Sequence, residues 1–373
     1  MKILHIGQMI GGLSVYIRNT VSCIDDSFEF VIVHGEKDNS APVLRYGKPV
    51  REYKVKLYRK LNPINDLVCL FQTIRIILKE KPDAIHCHSA KGGVIGRIAG
   101  RICGIKTFYT PHAFSFLSTQ SKIKRYVYIR LEKFCRFNSS LLACSESERQ
   151  LGISKIHYKD NHAFCWNNSV PDIRLDKIQS KKEKYICYIG RPSYQKNPFF
   201  LIDVISSVHK VCPEMKFYLL GVGYYSPDLD KMKRQITDEN LEDTIILLPW
   251  LSHDQAMLYL KNSLLYLTVS KYEGLPLSVI EAMCLSKAVI ASDVLGNRDC
   301  VRDGYNGRLL PLDVSKFSSA IVSLIENDEL RHKFERNSRE FFESSFLIDN
   351  RISFLEKIYR TAIVEKGKSL VYN

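Results

Sequence analysis

The chain has no apolar run long enough to cross a membrane as a helix. Such a span needs about 18 consecutive apolar residues, and nothing in the 373 residues approaches that length. The opening residues, Met-Lys-Ile-Leu-His-Ile-Gly, hold too short an apolar stretch for a signal peptide and are typical of a first buried strand. With 45% hydrophobic and 25% charged residues, the composition predicts a globular, water-soluble protein.

Paired cysteine motifs are also missing. The eleven cysteines are an odd number, and none forms a Cys-x-x-Cys pair. This favours reduced thiols in the cytoplasm, most of them small core residues. His86-Cys87-His88 resembles part of a metal site, but two histidines on one face of a strand do not supply a complete ligand set. We therefore expect structural or loop-positioning roles there, no metal site, and no cofactor.

Two further classes of function lack their motifs. The first glycine turn, from Ile6 to Ser14, holds Gly7, Gly11 and Gly12, but not the Gly-x-Gly-x-x-Gly spacing of a dinucleotide site. The net charge of +14 would suit nucleic acid, yet no recognised nucleic-acid-binding motif is present. We expect no nucleic-acid partner.

Short apolar runs alternate with helix-like segments, and the alternation restarts after residue 183. Uninterrupted apolar strands between helices predict buried parallel sheets. The polar segment 171–184 is the predicted linker. We predict an α/β chain with two Rossmann-like domains, at 1–170 and 185–345, and a C-terminal helix within 346–373 that packs back on the first domain. The two domains should face each other across a cleft, with ligands at the carboxyl ends of the strands. The predicted strands are Ile3–Ile6, Phe30–Val33, Ala84–Cys87, Thr107–Tyr109, Leu141–Cys144, Tyr185–Ile189, Phe217–Leu220, Ile245–Leu248, Leu264–Val269 and Val289–Ala291.

The most informative stretch is 271–284, Lys-Tyr-Glu-Gly-Leu-Pro-Leu-Ser-Val-Ile-Glu-Ala-Met-Cys. An apolar run, a tight turn and Pro276 predict a strand, a turn and a helix that begins near the proline. The helix start would direct free N–H groups and its positive dipole end at the turn, which suits a phosphate. Glu273 would lie in the turn, and Glu281 about 7 Å from the helix start at about 1.5 Å per residue. Two acceptors around a phosphate-sized space suit a nucleotide sugar.

This stretch resembles the E-x7-E signature of retaining glycosyltransferases of the GT-B fold, especially glycosyltransferase family 4. The similarity continues through Ala288-Val-Ile-Ala-Ser-Asp and is strongest from 185 to 311. The resemblance implies that Glu273 contacts the donor sugar and Glu281 the nucleotide ribose. It also implies that the backbone between them, at Gly274, Leu275, Pro276 and Leu277, meets sugar and phosphate.

A cationic loop follows the strand Tyr185–Ile189. Gly190, Arg191 and Lys196 lie in it, and Pro198 begins the next helix. Arg can bind a diphosphate as a bidentate fork and Lys as a point charge. By the same resemblance, Arg191 and Lys196 bind the donor diphosphate and neutralise the leaving group.

The resemblance implies further site residues at other strand ends. The Gly11-Gly12 turn, before a helix predicted from about Val15, would lie close to the donor phosphates. His112 matches the position that faces the reacting sugar, although a lone histidine is often structural. Gly223 and Trp250 would line the base pocket, and Leu295–Asp299 matches a donor-side loop. One departure is Ser169, which stands where the family often has glycine and puts the local turn near the hinge in doubt.

Six Lys and Arg residues lie in the segment 121–137, which has the pattern of an amphipathic helix, and Arg51–Lys60 adds Lys54, Lys56, Arg59 and Lys60. A basic helix with Tyr126, Tyr128, Phe134 and Phe137 favours an anionic membrane surface. A solvated face over a buried stripe is the alternative. The candidate membrane-binding residues are Lys122, Lys124, Arg125, Arg130, Lys133 and Arg136.

Together these features predict a cytoplasmic hexosyltransferase, peripheral on the inner face of the cell membrane. It would be a retaining enzyme that uses a UDP-sugar and a polyprenyl-diphosphate-linked glycan acceptor in capsule, O-antigen or exopolysaccharide synthesis. The alternatives are a GT-B nucleotide-sugar epimerase and a non-catalytic sugar-nucleotide-binding subunit of a polysaccharide assembly complex.

Overall fold

The computed structural model describes residues 1–38, 40–136, 139–174, 184–223 and 226–369, with the backbone alone for 362–369. The chain divides into two compact units. The first unit is Met1–Pro171 together with Ile348–Asn373, and the second unit is Asp172–Leu347. No helix in these ranges combines the length and apolarity needed to span a membrane.

The first unit is built on a seven-stranded parallel sheet in the order β5-β2-β1-β6-β7-β8-β9. Its strands β1, β6, β7 and β8 are almost wholly buried, which explains their continuous apolar runs. A two-stranded antiparallel hairpin, β3-β4, lies outside this sheet. The strands are β1 (Lys2–Ile6), β2 (Glu29–Gly35), β3 (Leu44–Arg45), β4 (Lys48–Pro49), β5 (Arg51–Val55), β6 (Ala84–His88), β7 (Lys106–Thr110), β8 (Ser139–Ala143) and β9 (Ala163–Cys165).

Helices connect most of these strands, because two parallel strands need a crossover connection, which is usually a helix. The longest, α2, begins with Asn62 as its N-cap, whose side chain accepts from Asn65 N, and with Pro63 in its first turn. The helices of this part of the chain are α1 (Gly12–Cys23), α2 (Pro63–Glu80), α3 (Ala90–Ile102), α4 (Lys122–Cys135) and α5 (Glu146–Leu151).

The second unit carries a six-stranded parallel sheet in the order β12-β11-β10-β13-β14-β15. Its strands are β10 (Tyr185–Ile189), β11 (Lys216–Val222), β12 (Ile245–Pro249), β13 (Leu265–Thr268), β14 (Val289–Ser292) and β15 (Gly307–Leu310). Its helices are α6 (Pro198–His209), α7 (Leu229–Asp238), α8 (His253–Asn262), α9 (Leu277–Cys284), α10 (Asn297–Cys300), α11 (Val314–Glu326) and α12 (Asp328–Ser345). The last helix, α13 (Ile352–Ser369), returns to the first unit, where Tyr359 is buried.

In both sheets the chain continues from the first strand of the unit to a neighbour on one side, and later crosses over to add strands on the other side. β1 lies between β2 and β6, and β10 lies between β11 and β13. In open parallel sheets, ligands bind outside the carboxyl ends of the strands at such a switch point. Each unit therefore has one edge at which a site is expected.

The predicted class, two α/β units with parallel sheets, is confirmed, and the differences are local. The hairpin β3-β4 and the strands β5, β9 and β15 were not predicted, because short edge strands lack a strong apolar run. The helix expected from about Val15 begins at Gly12, and Pro276 is the N-cap of α9 rather than its first residue. Of the predicted linker, 171–174 has no regular structure, and 175–183 lie outside the described residues. The second unit extends from Asp172 to Leu347, beyond the predicted 185–345 at both ends.

Candidate active site

The loop after β10 is held in a tight, specific shape. The backbone N–H groups of Lys196 and Asn197 donate to the carbonyl of Ser193, at 2.9 and 3.0 Å. Asn197 has φ 54° and ψ 53°, a left-handed conformation, and serves as the N-cap of α6. A Cβ at Gly190 would lie 2.7 Å from the Tyr188 hydroxyl, so glycine is needed at the start of the loop. These constraints direct Lys196 towards the turn that follows β13.

Lys196 forms an ion pair with Glu273. Its Nζ lies 2.7 Å from Glu273 Oε1, and Gln195 Nε2 donates to Glu273 Oε2 at 3.1 Å. Glu273 is 7% exposed, so its charge is nearly desolvated and needs these two partners. Gln195 also donates to the carbonyl of Tyr272 at 3.1 Å, and the N–H of Lys271 donates to Gln195 O at 2.8 Å. The ion pair and these hydrogen bonds therefore join the loop after β10 to the turn after β13.

Helix α9 begins directly after this turn. The N–H groups of Val279 and Ile280 donate to Pro276 O, at 3.1 and 3.3 Å, so Leu277 and Ser278 precede the first intrahelical donors. The helix start thus presents N–H groups and a positive dipole end, as a phosphate requires. Gly274, Leu275, Pro276 and Leu277 form the predicted turn beside Glu273.

The loop Leu295–Asp299 packs on that turn at Gly296. This glycine has φ 83°, and a Cβ there would lie 2.6 Å from the carbonyl oxygen of Gly274. Since backbone cannot yield as a flexible side chain can, only glycine permits this approach. The contact places the predicted donor-side loop against the Glu273–Pro276 turn.

Glu281 has a partner that the sequence analysis missed. His253, the first residue of α8, places Nε2 2.8 Å from Glu281 Oε1. The hydrogen bond to this carboxylate raises the pKa of His253, although partial burial opposes the shift. Glu281 is 5% exposed, so the imidazole supplies the partner that a nearly buried carboxylate needs.

The other two second-unit residues predicted for the donor, Gly223 and Trp250, lie on the same edge of the second sheet. Gly223 follows β11 with φ 114°, and Trp250 follows β12 with 48% of its surface exposed. Parallel strands bring their carboxyl ends to one edge, so these residues share it with Arg191, Lys196 and Glu273. The exposed indole offers a flat surface on which a base could stack.

His112 in the first unit lies in a strained turn after β7. His112 has φ 51° and Ala113 has φ 80°, in the region that non-glycine residues rarely adopt. A buried carboxylate holds the turn, since Glu148 Oε1 accepts from Ala113 N at 2.7 Å and Oε2 from Cys144 N at 2.9 Å. Strain of this kind persists only where the surroundings enforce it, often at functional sites.

A row of hydrogen-bonded histidines leads to His112 from the sheet. His5 Nδ1 lies 2.9 Å from His88 Nε2, and His88 Nδ1 lies 3.2 Å from His112 Nε2. Burial lowers the pKa of His5 and of His112 to about 3, and lowers that of His86 and of His88 well below the ordinary value. The four imidazoles are therefore neutral near pH 7.

The helix that follows Gly11 and Gly12 packs on this row. Gly11 has φ 59° and is the N-cap of α1, which begins at Gly12. One turn further, the ring of Tyr16 meets the ring of His112 edge-on, with centroids 5.0 Å apart. The glycine turn and His112 thus belong to one neighbourhood of the first unit.

Comparison with known proteins identifies the family of the chain. Residues 10–173 match the model of Glycosyltransferase Family 4, and residues 170–341 match that of Glycosyl transferases group 1. The chain belongs to the family 4 glycosyltransferases. It is 28% identical to the Escherichia coli UDP-Gal:alpha-D-GlcNAc-diphosphoundecaprenol alpha-1,3-galactosyltransferase, over 98% of each chain.

Solved structures share the GT-B fold of this glycosyltransferase. Sucrose-phosphate synthase from Thermosynechococcus elongatus superimposes with a TM-score of 0.83 at 17% identity, over 98% of this chain and 100% of that one. Anabaena HepE in complex with UDP-glucose gives a TM-score of 0.77 at 19% identity, over 96% and 99%. These likenesses confirm the predicted fold.

Helix α4 of the glycosyltransferase presents a basic and apolar outer face. Lys122, Lys124, Arg125 and Arg130 are exposed, as the predicted membrane contact requires. Lys133 and Arg136 are only partly exposed: Lys133 Nζ lies 3.0 Å from His157 Nε2, and Arg136 Nη1 donates to Ile156 O at 2.6 Å. Tyr126 and Phe134, which were predicted for this face, belong to an exposed apolar stripe at helical spacing. Its other members were not predicted: Ile123, Val127 and Leu131.

Of the four aromatic residues predicted for the membrane face of this helix, one is placed differently by the structure and one lies outside the described residues. Tyr128 is half-buried and packs against the core of the first unit, so it does not face outward. Phe137 lies outside the described residues. The inner face is anchored by Glu132, which pairs with buried Arg97 at 2.8 Å and accepts from the Tyr109 hydroxyl at 2.9 Å. The outer stripe is therefore displayed on a firmly held helix.

Proposed function

We propose that this chain is a retaining hexosyltransferase that moves a hexose or N-acetylhexosamine from a UDP-sugar to a polyprenyl-diphosphate-linked glycan. The observation that carries the proposal is the arrangement after β13. There, the Lys196–Glu273 pair, the start of α9 and the His253–Glu281 pair surround one stretch of backbone.

The chemistry follows from the charges that develop during transfer. Breaking the bond between sugar and diphosphate builds positive charge on the anomeric carbon and negative charge on the leaving diphosphate. Arg191, Lys196 and the N-terminus of α9 would stabilise the second charge, with no metal ion required. Glu273 would bind the sugar, and the Glu281 oxygen that does not face His253 would accept from the ribose.

The choice of donor and acceptor rests on the relatives. The Escherichia coli relative is named for transfer from UDP-Gal to a diphosphoundecaprenol-linked GlcNAc, and HepE was solved with UDP-glucose. Others of the relatives are named for O-antigen biosynthesis. UDP-galactose and a lipid-linked N-acetylhexosamine are therefore the first pair to test, within capsule, O-antigen or exopolysaccharide synthesis.

A donor screen followed by a transfer assay tests the proposal. UDP-sugars should raise the melting temperature of the protein more than the matching GDP- and TDP-sugars, because binding to the folded state stabilises it. The preferred donor should then label a synthetic polyprenyl-diphosphate-linked acceptor, also in the presence of EDTA. The anomeric configuration of the product, read by NMR, should equal that of the donor. An inverted product or a strict metal requirement would overturn the corresponding part of the proposal.

The two alternatives give different outcomes in the same assay. An epimerase would convert a nucleotide sugar when no acceptor is present, and a non-catalytic subunit would bind the donor without turnover. The presence of Arg191 beside the Lys196–Glu273 pair, together with the buried carboxylate of Glu281 paired to His253, favours a working transferase over a silent subunit.

We also propose that α4 holds the enzyme on an anionic membrane at the cytoplasmic face. Each Lys or Arg near such a surface contributes about 1 kcal/mol at physiological salt. The exposed stripe from Ile123 to Phe134 would enter the headgroup region between these charges. The Arg97–Glu132 pair keeps the stripe outward, so little ordering accompanies binding.

Sedimentation with phosphatidylglycerol vesicles tests this contact. Changing Lys122, Lys124, Arg125 and Arg130 together to Ser should release most of the protein, while high salt should weaken binding of the unchanged protein. The matched control removes four exposed charges from the second unit, Lys210, Lys231, Lys233 and Arg234, and should bind as before. Equal sedimentation of all three proteins would mean that the charges of α4 serve only a solvated face.

A further inference from the structure

The row from His5 through His88 to His112 has an inner end without a partner. His5 Nε2 is buried and forms no hydrogen bond with the described part of the chain. Two contacts make up the row: His5 Nδ1 with His88 Nε2, and His88 Nδ1 with His112 Nε2. The outer end, His112 Nδ1, belongs to a partly exposed side chain.

Counting protons leaves two possible orientations of the row, and the buried end decides between them. Three neutral imidazoles carry three N–H protons, and each of the two N···N contacts needs one of them. The third proton must lie at an end, either on His5 Nε2 or on His112 Nδ1. On His5 Nε2 it would be a buried donor without an acceptor, and orphaned buried N–H groups are rarer than orphaned acceptors. The third proton therefore belongs on His112 Nδ1.

We propose that His5 and His88 are positioning residues that hold His112 as the Nδ1–H tautomer. His5 donates to His88, His88 donates to His112 Nε2, and His112 presents its Nδ1–H as a hydrogen-bond donor to a substrate oxygen. This inference rests on the proposed function for its purpose, since the partner assigned to the donor is an oxygen of the substrate. The tautomer itself is a property of the free protein.

His86 lies in the same cluster but outside the row. Its Nε2 is 2.8 Å from Thr110 Oγ1, and its Nδ1 is 2.7 Å from the Tyr359 hydroxyl. Because Thr110 Oγ1 donates to Leu142 O at 2.5 Å, it must accept from His86 Nε2–H. His86 Nδ1 then accepts from Tyr359, so both its nitrogens are satisfied without the row.

The distances among these histidines fit hydrogen bonds better than ligation of one metal ion. Side-chain nitrogens of His5, His86 and His88 lie within 4.8 Å of one another, which is the arrangement of a possible ligand set. Two nitrogens bound to one tetrahedral zinc at about 2.0 Å would lie about 3.3 Å apart. The His5–His88 contact of 2.9 Å is a hydrogen-bond distance, and His86 already uses both nitrogens for hydroxyl groups.

Nitrogen NMR of the substrate-free protein tests the proposal. The probe is the full chain labelled with ¹⁵N in its histidine rings, with His112 assigned through the His112→Gln variant. We expect Nδ1 of His112 to give the signal of a protonated ring nitrogen and Nε2 that of a bare one. A proton on Nε2 would overturn the proposal, as would one equivalent of zinc in the purified protein with metal-shifted His5 and His88 signals.

Two variants separate a proton relay from simple packing. His88→Phe keeps an aromatic ring but removes the donor to His112, so the His112 signals should move to an average of both tautomers. The matched control, His86→Gln, should leave them unchanged. An equal change in both variants would mean that the cluster acts only by packing, which would overturn the proposal.

The spectrum of the unchanged protein decides the tautomer even if His88→Phe fails to fold. Because no substrate is involved, the result is also independent of whether the chain transfers sugar. A correct tautomer in a protein that shows no transfer would refute the proposed function and leave the positioning role intact.

Discussion

The two units prepare polar groups for chemistry in opposite ways. In the second unit, Glu273 and Glu281 keep their charges inside ion pairs with Lys196 and His253. In the first unit, the buried His5, His86 and His88 and the partly exposed His112 are neutral imidazoles that hydrogen-bond to one another or to hydroxyls.

The difference reflects the cost of removing a charge from water. A buried charge is tolerated only with a partner, whereas a buried histidine can lose its proton instead. Lys196 and His253 retain some exposure, with 18% and 45% of their side chains accessible, so they can remain charged and meet an anionic ligand. Neutral histidines suit directed hydrogen bonding, where the position of one proton matters more than charge.

The largest effect should come from acidifying the first unit. The four histidines of this cluster have folded pKa values below their ordinary value of about 6.5, about 3 for His5 and His112. Their contribution to stability is complete above pH 6.5 and is lost as the pH falls towards 3, because the unfolded chain then binds protons that the folded chain rejects. Between pH 7.5 and 5.5, the free energy of unfolding should fall by about 1 kcal/mol for each histidine.

The tryptophan count makes this measurement specific. The chain has two tryptophans, and Trp250→Phe leaves buried Trp166 as the reporter of the first unit. Denaturant unfolding followed by Trp166 fluorescence at several pH values gives the slope. His332→Gln, at an exposed position of the second unit, is the control and should not alter it. A first unit equally stable at pH 7.5 and 5.5 would contradict the neutral-cluster picture.

The second effect concerns the charged site. Arg191→Ala and Lys196→Ala should each lower turnover by about 100-fold, or about 2.7 kcal/mol, because a charged donor to the leaving diphosphate is lost. Single-turnover kinetics with saturating donor measures the loss.

Pair chemistry supplies the controls for that effect. Lys196→Ala leaves Glu273 with a buried, poorly compensated charge, so adding Glu273→Gln should recover stability but not turnover. Lys271→Ala, whose Nζ lies 4.1 Å from the centre of the Tyr194 ring, should cost much less. Near-normal turnover in folded Arg191→Ala and Lys196→Ala proteins would remove these residues from the diphosphate site.

The smallest effect should have the opposite pH dependence. The hydrogen bond to Glu281 raises the folded pKa of His253 above 6.5, so its stabilising contribution is complete below pH 6.5 and is lost as the pH rises through the raised value. The stability difference between the unchanged protein and His253→Gln should shrink from pH 6 to pH 8. The total should stay below about 1 kcal/mol, because the pair is partly screened by solvent.

Trp250 serves as the reporter for this last prediction, in a Trp166→Phe background. Because it lies three residues before His253, its fluorescence follows the second unit. A difference that grows with pH would mean that Glu281 is stabilised by something other than the charged imidazole.

Much of the fold was accessible from the sequence because parallel strands are buried on both faces. Tyr185–Ile189 was predicted to the residue, since its run of apolar residues has no competing interpretation. β5 escaped prediction because the edge strand Arg51–Val55 is largely polar and exposed. For the site, Glu273 and Lys196 were found through their spacing, whereas Gln195 and His253 were not, because neither belongs to a motif. The position of His253, four residues beyond the end of β12, was the available signal.

The sequence by itself determined the order of strands and helices, and with it the edge of each sheet at which polar side chains collect. Local spacing also determined that a turn and a helix start follow β13, since Gly274 and Pro276 act on neighbouring backbone. Only the tertiary structure decided the partners. Lys196 meets Glu273 across 77 positions, and His5 meets His88 across 83. Such contacts form only when the packing of each sheet offsets the entropic cost of closing the intervening chain. No local sequence pattern encodes which residues become partners.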